Sequence, residues 1–421
     1  MTLSSRLIAA LNKDRNIKEN LALGCGGIRG LFHLGVLKAF HDAGLLKYIK
    51  RISGTSIGGM MGFTAAIGIP PQKAIDHALE RQRLGKMPLY LDFIPKNPND
   101  YYQTNSTESN FTAITKKLYN AGKYAYLIAK NTIDVPLSGG LCHGLHIEDE
   151  VCSIIQVSDI DPADKNDNMT LMDLHKLIEK YPHLHMKDLY VKVTNITNQD
   201  KYFSEVVSYE THPDMPIRVA IHATMAVPGV YKPVIYNGQT YVDGGIFDAV
   251  PVTAFDHAKY LRPGCKLTRD GKNPATVAVA LSSDEHAAKI RAESEPEHTS
   301  YLEKITNTVL FPMHHQDEIL RHRREHHRMI FLKTNKVPMF DFVNLSSDTI
   351  NVAVNHGYEV ANNDIKTNNY QKPLENTEKF QQFVNIHQIC NSPWLREKPA
   401  DKKIDQPKLE TSPSFSRAQL S

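Results

Sequence analysis

The stretch KRISGTSIGGMMGFTAAIG, from Lys50 to Gly68, holds a serine framed by glycines between a β-like segment and a run of small apolar residues. Its centre, GTSIG at residues 54–58, carries Ser56 in the middle. One interpretation is a tight turn in which only small residues fit. The other is a nucleophile elbow, a strained strand-to-helix turn that presents a serine hydroxyl to a substrate. The patterns on either side of this stretch, and the other motifs of the chain, distinguish the two interpretations.

The segments on either side of this stretch alternate between strand and helix patterns. Upstream, the apolar run Leu21 to Leu23 ends in glycines, and a helical pattern with Leu31, Leu34 and Leu37 on one stripe follows. Downstream, GMMGFTAAIG reads as a buried helix. Strand, glycine loop, helix, strand, glycine turn and helix follow one another in the order expected of a parallel sheet with helices on both faces. We therefore predict an α/β fold with a mostly parallel central sheet.

Further strand patterns continue the alternation toward the C-terminus. They cover Asp188 to Ile196, Ala275 to Ser283 and Arg328 to Thr334, and a shorter strand ends at Asp243. The segment 86–145 differs, because it is rich in tyrosine and lysine. It reads as an insertion on the α/β core, whose aromatic residues form either a helix core or a lid with an interfacial surface.

Composition and charge exclude several classes of protein. The chain has 421 residues, 41% of them hydrophobic, which is enough to bury a sizeable core. Its 49 basic and 46 acidic residues leave a formal charge of +3, so no nucleic-acid partner is predicted. The five cysteines lack a CxxC or Cys/His metal spacing, which predicts reduced thiols. No apolar run approaches the roughly 20 residues of a membrane span, and none suits a secretory signal, so we predict a cytoplasmic protein.

The glycine loop GCGGIRG, residues 24–30, lies between the first strand pattern and the first helix pattern. Glycines there allow positive φ and let backbone N–H groups converge on an anion, either a phosphate or the oxyanion of acyl transfer. A dinucleotide loop would have its third glycine where Arg29 stands, and a Walker loop would end in Gly-Lys-Ser/Thr. The loop therefore predicts an anion site without naming the anion.

A serine nucleophile needs a base, and Asp243 is the outstanding carboxylate. It stands in TYVDGGIFDAVP at the end of a short strand, where Gly244 and Gly245 allow close backbone approach. A reference pKa near ~3.9 makes an aspartate a weak base, but burial raises that value. None of the 20 histidines stands in a recognisable position for a triad. Read alone, Asp-Gly-Gly is equally typical of an ordinary hairpin.

Taken in order, the three motifs resemble the patatin-like phospholipase family, whose pattern is G-x-G-G-x-[KR]-G, then G-x-S-x-G, then D-G-[GA]. The segment AIHATMAVPGVYKPV before the aspartate also resembles the family. The resemblance implies that Ser56 is the nucleophile and Asp243 its general base, with no histidine. It implies an oxyanion hole made by the backbone amides of Gly26 and Gly27, with Arg29 close by. The other motif glycines are Gly24, Gly30, Gly54, Gly58, Gly244 and Gly245.

The resemblance also implies an architecture and a reaction. The fold would be a patatin-like three-layer α/β domain over residues 15–370, with 86–145 as an insertion or lid and 371–421 as a C-terminal helix and flexible tail. The reaction would be hydrolysis of fatty-acyl esters of phospholipids or lysophospholipids through an acyl-enzyme, with no metal and no cofactor. Where the family often has Asn-x-Pro after D-G-G, this chain has Ala249-Val250-Pro251, a departure that concerns the support of the aspartate.

The implied partner is the surface of a phospholipid membrane, to which a cytoplasmic protein would bind peripherally. Patatin-like enzymes also include effectors that are delivered into host cells, some of them idle until a host protein binds. The absent signal peptide, the insertion and the tail are compatible with that group. Non-classical secretion and a host protein activator are therefore further predictions.

Two other functions stay open at this point. An α/β-hydrolase esterase would use Ser56 in a Ser-His-Asp triad, and a catalytically silent lipid- or nucleotide-binding module would use only the glycine loop. His322 and His326 have the i, i+4 spacing of a metal pair, although a solvated basic face is the simpler interpretation. Cys25 lies near a helix start, as a reactive thiol would, but a small packing residue is the simpler interpretation.

Overall fold

The computed structural model describes residues 8, 10–85, 140–197, 204–282, 325–334, 337 and 345–374. The chain divides into a main unit, Asn12–Pro373, and a second unit made of Met1–Leu11 and Leu374–Ser421. The sheet and its helices lie in the main unit. The predicted lid at 86–145 and the predicted C-terminal helix and tail at 371–421 lie almost wholly outside the described residues and stay predictions.

The main unit is built from strands and helices in an alternating order. The strands are β1 (Asn20–Leu23), β2 (Arg51–Thr55), β3 (Gly140–Cys142), β4 (Asp188–Asn195), β5 (Ser204–Val207), β6 (Gly229–Tyr231), β7 (Val234–Tyr236), β8 (Gln239–Asp243), β9 (Thr276–Ser282) and β10 (Met329–Lys333). The helices are α1 (Leu31–Asp42), α2 (Ile57–Ala66), α3 (Pro71–Arg83), α4 (Leu145–Val157), α5 (Leu171–Lys180), α6 (Ile217–Met225) and α7 (Ser347–Thr367).

The central sheet has the strand order β10-β9-β1-β2-β4-β8-β7, and β5 also pairs with β4. Strands β10, β9, β1, β2 and β4 are parallel to one another. β8 and β5 run antiparallel to β4, and β7 runs antiparallel to β8. β3 and β6 form a separate parallel pair. The prediction of a mostly parallel α/β sheet is confirmed.

Alternate residues of β1 point to opposite faces of the sheet, as the period of a strand requires. Leu21 and Leu23 enter the main hydrophobic core, whereas Ala22 packs in a smaller cluster with Ala249 and Val250. α2 lies in the main core with every one of its residues buried. A helix that is buried all round needs no polar stripe, which explains the uniformly apolar sequence GMMGFTAA.

Helices α1 and α7 cross so closely that glycine is needed on both. A Cβ atom on Gly35 of α1 would lie 2.0 Å from the carbonyl oxygen of Val354, and a Cβ on Gly357 of α7 would lie 2.2 Å from that of Phe32. Neither distance leaves room for a carbon atom, and both neighbours are backbone. The backbones of the two helices are therefore in direct contact.

We expect Gly357→Ala to lower the free energy of unfolding by about 1–3 kcal/mol, because the added methyl forces the two helices apart. Alanine normally stabilises a helix interior relative to glycine, so the sign of the effect identifies the contact. Thermal unfolding followed by circular dichroism measures the change. The matched control is Asn355→Ala on the exposed side of α7, which should leave the melting temperature close to that of the wild type. Equal stability of both variants would contradict the close crossing.

Candidate active site

Ser56 lies in the turn between β2 and α2, at the carboxyl edge of the parallel strands. Its backbone has φ 54° and ψ −127°, a region that residues with a Cβ rarely adopt. The flanking glycines are sterically required, because a Cβ on Gly54 would lie 2.4 Å from the carbonyl oxygen of Gly58. A Cβ on Gly58 would lie 2.2 Å from that of Leu23. This is the strained geometry of a nucleophile elbow rather than of a relaxed turn.

Asp243 ends β8, where it pairs in register with Val193 of β4. Its side chain is buried, and Oδ1 accepts a hydrogen bond of 2.6 Å from the backbone N–H of Gly245. The Ser56 side chain interacts with the same carboxylate. Burial raises the pKa of Asp243 to about 7, although the hydrogen bonds from Ser56 and Gly245 act in the opposite direction. Ser56 and Asp243, which are far apart in sequence, therefore lie together in the fold. The Asp243 carboxylate can take a proton near neutral pH.

The glycine loop lies directly beside the elbow. Gly27 has φ 56°, and the turn Gly27–Gly30 leads into α1. A Cβ on Gly30 would lie 2.1 Å from Cγ1 of Ile57, the residue after the serine. β9 anchors the other end of the loop, since the backbone N–H of Gly24 donates to the carbonyl oxygen of Val279 at 2.9 Å. The three sequence motifs are thus brought together at one edge of the sheet.

The sheet also limits the space around Gly26. A Cβ on Gly26 would lie 2.6 Å from Cδ1 of Leu281 on β9. Gly24 is similarly constrained, because a Cβ there would lie 2.9 Å from the carbonyl oxygen of Val279. Gly24 therefore has a packing reason to be glycine, because its neighbour is backbone, whereas the neighbour of Gly26 is the end of a side chain.

His33 fastens the same loop from α1, and the sequence pattern did not reveal it. The ring is fully buried, and Nε2 donates to the carbonyl oxygen of Gly24 at 2.8 Å. Burial lowers its pKa to about 4, so the imidazole is neutral at physiological pH. A histidine inside an otherwise apolar helix face was the available signal, since a buried ring needs a partner.

Arg29, which the family resemblance puts beside the oxyanion hole, has a defined contact of its own. Its Nε donates to the carbonyl oxygen of Val337 at 2.8 Å. The guanidinium thus joins the turn before α1 to the chain beyond β10. Its contribution to an oxyanion hole stays a prediction.

The segment that replaces the family's Asn-x-Pro is held through its backbone. Thr55 donates from Oγ1 to the carbonyl oxygen of Asp248 at 2.9 Å, and Ser53 donates to that of Pro251 at 3.2 Å. The backbone N–H of Cys25 donates to the carbonyl oxygen of Ala249 at 2.8 Å. Hydroxyls of β2 and an amide of the glycine loop therefore fix this segment, in which alanine occupies the position where the family often has asparagine.

Among the described residues, a histidine–carboxylate pair lies on α6 and α4, and its ring points toward Gly144. On α6, Nδ1 of His222 lies 2.9 Å from Oε1 of Glu148, which also pairs with Arg218. The bond from His222 holds the pKa of Glu148 below its usual range. Nε2 of His222 lies against Gly144, whereas the Ser56 side chain interacts with Asp243. The pair therefore gives the triad alternative no support.

The residues of the predicted metal pair lie mostly outside the described part of the chain. His322 lies outside the described residues, and so does the side chain of His326. Within the described ranges, no group of three or more histidines, cysteines or acidic residues could hold a metal ion. The same part of the chain has no helix that combines the length and apolar character of a membrane span.

Comparisons with known proteins agree with the three motifs. The family model for patatin-like phospholipases matches residues 21–256. The probable lipid hydrolase 463L of Invertebrate iridescent virus 6 is 35% identical over 66 residues, 16% of this chain and 22% of that protein. The uncharacterized protein R571 of Acanthamoeba polyphaga mimivirus is 26% identical over 240 residues, 56% of this chain and 61% of that protein. The chain thus spans less than two thirds of either relative.

Two solved structures are also similar. VipD from Legionella pneumophila is 19% identical, with a TM-score of 0.43 and coverage of 83% of this chain and 67% of VipD. ExoU of Pseudomonas aeruginosa, solved in complex with SpcU, is 12% identical, with a TM-score of 0.41 and coverage of 84% of this chain and 53% of the matched chain.

Proposed function

The chain belongs to the patatin-like phospholipase family, and from this membership and the geometry around Ser56 we propose that it hydrolyses fatty-acyl esters of membrane phospholipids. The observation that carries the proposal is the interaction of the Ser56 side chain, on its strained turn, with the buried carboxylate of Asp243. A serine alone is a poor nucleophile, and a base within hydrogen-bond reach activates it. Asp243 has the position and, with a pKa raised to about 7, the basicity for that role.

In the proposed reaction, Oγ of Ser56 attacks the acyl carbonyl carbon while Asp243 takes the hydroxyl proton. Backbone N–H groups of Gly26 and Gly27 stabilise the oxyanion. The ester C–O bond then breaks, and the leaving alcohol takes the proton from Asp243. A water molecule attacks the acyl-serine while Asp243 takes a proton from it. The bond from the acyl carbon to Oγ of Ser56 then breaks, Asp243 returns the proton to Oγ, and the fatty acid is released. The residues of the chain supply every proton transfer in this scheme.

The proposal is tested by product analysis on vesicles of mixed phospholipids. Free fatty acid and lysophospholipid should appear together, and a fluorophosphonate should form its adduct on the peptide that contains Ser56. Mass spectrometry identifies both. Release of a phosphorylated headgroup instead of fatty acid would contradict an acyl hydrolase. An absent adduct together with absent turnover would leave the silent anion-binding module as the better description.

A hairpin supports the surface of a membrane as the partner. β7 and β8 are joined by Asn237 and Gly238, both at positive φ, as in a two-residue hairpin turn. β8 descends from this turn to Asp243, so the hairpin tip extends beyond the sheet edge on which the elbow lies. A protein that approaches lipid with its active site would therefore bring this tip close to the surface.

Two exposed isoleucines lie in this part of the sheet. Ile235 of β7 pairs with Thr240 of β8, and Ile196 donates its backbone N–H to the carbonyl oxygen of Thr240. Residues opposite one another on antiparallel strands share a face, so the two isoleucines project in the same direction. Ile235 is 74% exposed and Ile196 is 42% exposed. Exposed apolar side chains beside the site fit insertion at the boundary between headgroups and acyl chains.

We expect Ile235→Ser to lower kcat/KM on phospholipid vesicles about tenfold, because burying an isoleucine in lipid contributes roughly 1.5–3 kcal/mol. Hydrolysis of a soluble short-chain ester should not change. The matched control is Val352→Ser on α7, since Val352 is 46% exposed and lies on no strand of the hairpin. An equal loss on both substrates would show that the hairpin acts on the site itself and not on the surface.

The suggestion of a secreted effector with a host activator stays a prediction. The vesicle assay tests it when it is run with and without eukaryotic cytosol. Turnover that needs cytosol supports an activator, and full turnover of the protein purified from bacteria argues against one.

A further inference from the structure

Thr224 is a buried hydroxyl on the otherwise apolar face that α6 turns to the sheet. Its Oγ1 accepts a hydrogen bond of 2.8 Å from the backbone N–H of Ser56. The same oxygen donates to the carbonyl oxygen of Lys192 on β4. One side chain therefore joins the backbone of the elbow to the strand beside it.

The N–H of Ser56 has a particular need for this partner. Ser56 precedes the first residue of α2, so its N–H has no carbonyl within that helix to bond to. The N–H is buried, and a buried donor without an acceptor would cost about 1–3 kcal/mol. The positive φ of Ser56 already strains the turn. Oγ1 of Thr224 accepts this hydrogen bond and so stabilises the strained conformation of Ser56.

The same short segment also holds the base. The backbone N–H of Asp243 donates to the carbonyl oxygen of Ala226 at 2.9 Å, two residues after Thr224. The Asp243 carbonyl oxygen in turn accepts from Oγ1 of Thr194 at 2.9 Å, and Thr194 is two residues after the Lys192 that Thr224 contacts. The segment 224–226 thus touches the nucleophile at one end and the base at the other.

We propose that Thr224 is a positioning residue, which holds the Ser56 hydroxyl against the Asp243 carboxylate by fixing the backbone of the elbow to α6 and β4. This inference rests on the proposed function, because it assumes that Ser56 is the nucleophile. Thr224 does not exchange protons with the substrate. It sets the distance and direction over which Ser56 and Asp243 exchange theirs, and a displacement of about 1 Å can reduce a rate 10²-fold.

The test compares Thr224→Val with Thr224→Ser. Valine keeps the shape of threonine and removes the hydroxyl, whereas serine keeps the hydroxyl. The rate of fluorophosphonate labelling at Ser56 should fall about 10–100-fold in Thr224→Val and return to near the wild-type rate in Thr224→Ser. On a soluble ester, kcat should fall in Thr224→Val while KM stays the same, because the side chain is buried and does not contact substrate.

A matched control separates positioning from general damage to the fold. Thr64 on α2 is also buried, and its hydroxyl donates to the carbonyl oxygen of Met61 at 2.7 Å. Thr64→Val should label at the wild-type rate even if its melting temperature falls. If Thr224→Val does not fold, Thr224→Ala removes the same hydroxyl and leaves more room, and the comparison with Thr224→Ser is made with it.

The outcomes distinguish this inference from the proposed function. Slow labelling of folded Thr224→Val supports positioning, even if the wild type were found to cleave an ester other than a phospholipid. Wild-type labelling rates in folded Thr224→Val overturn positioning and leave the proposed function intact. Absence of labelling in the wild type overturns the serine mechanism and this inference with it.

Discussion

Ser56→Ala is expected to reduce fatty-acid release from phospholipid vesicles to background, a loss of at least about 10⁴-fold. The reason is the loss of the nucleophilic oxygen, since the acyl-enzyme cannot form without it. The alanine Cβ occupies the same strained backbone position, so the fold should not change. A coupled assay for free fatty acid measures the release. Surviving activity would remove Ser56 from the mechanism.

Two further variants sharpen this result. Ser158→Ala removes another buried serine hydroxyl, one that bonds to the carbonyl oxygen of Ile155 at the end of α4, and should keep full activity. Ser56→Gly should be as inactive as Ser56→Ala but should melt at a higher temperature. Glycine adopts φ 54° and ψ −127° without the strain of about 1–3 kcal/mol, and its extra chain entropy offsets only roughly 0.5–1 kcal/mol of that gain. Equal melting temperatures would show that the elbow is relaxed.

Asp243→Asn is expected to reduce kcat about 10²–10⁴-fold, because asparagine keeps the size of the side chain but cannot take a proton from Ser56. Its amide oxygen can still accept the hydrogen bond from Gly245, so the local turn should persist. Asp248→Asn is the neighbouring control, since Asp248 follows the same turn and pairs with Lys192 at 3.4 Å. A full rate in Asp243→Asn would point to another base.

The raised pKa of Asp243 gives a pH dependence with a definite sign. The base acts when it is deprotonated, so kcat/KM should rise with pH and level off above about 7. Below that pH it should fall about tenfold per unit. A soluble ester is the right substrate, because lipid packing also changes with pH. A profile that is flat between pH 5 and 8 would contradict Asp243 as the titrating base.

The same pKa has a consequence for stability. The folded pKa of about 7 lies above the unfolded value near ~3.9, so the folded state binds the proton more tightly. The wild type therefore loses stability as pH rises from about 4 to about 7, and Asp243→Asn does not. We expect Asp243→Asn to melt above the wild type at pH 8, with a smaller difference at pH 5.

Much of this arrangement was predictable from sequence, because the motifs report local geometry. The backbone contacts of the elbow leave no room for a Cβ at Gly54 and Gly58. Glycine is therefore required at these positions, and the sequence shows it directly. The order of strands, glycine turns and helices likewise predicts a parallel sheet, whose carboxyl edge gathers the residues that follow its strands. Ser56 and the glycine loop follow neighbouring strands and so meet there.

Other features depend on contacts that no local pattern records. Thr224 is 168 positions from the Ser56 N–H that it accepts from, and its only sequence signal is a hydroxyl within an apolar helix. His33 contacts Gly24 only because α1 folds back over the loop. The antiparallel direction of β8, which brings Asp243 to the level of the elbow, follows from its pairing with β4. Long-range packing decides these cases, and no local pattern in a single sequence records it.

The dependence of the glycine loop on β9 has a consequence for how the protein is made. Translation supplies Ser56 and Asp243 before it supplies Val279, whose carbonyl oxygen holds the backbone N–H of Gly24. A chain still on the ribosome at that stage has both members of the proposed dyad but lacks the strand that shapes its anion site. If Ser56 and Asp243 act as proposed, chains that end before β9 should therefore be inert.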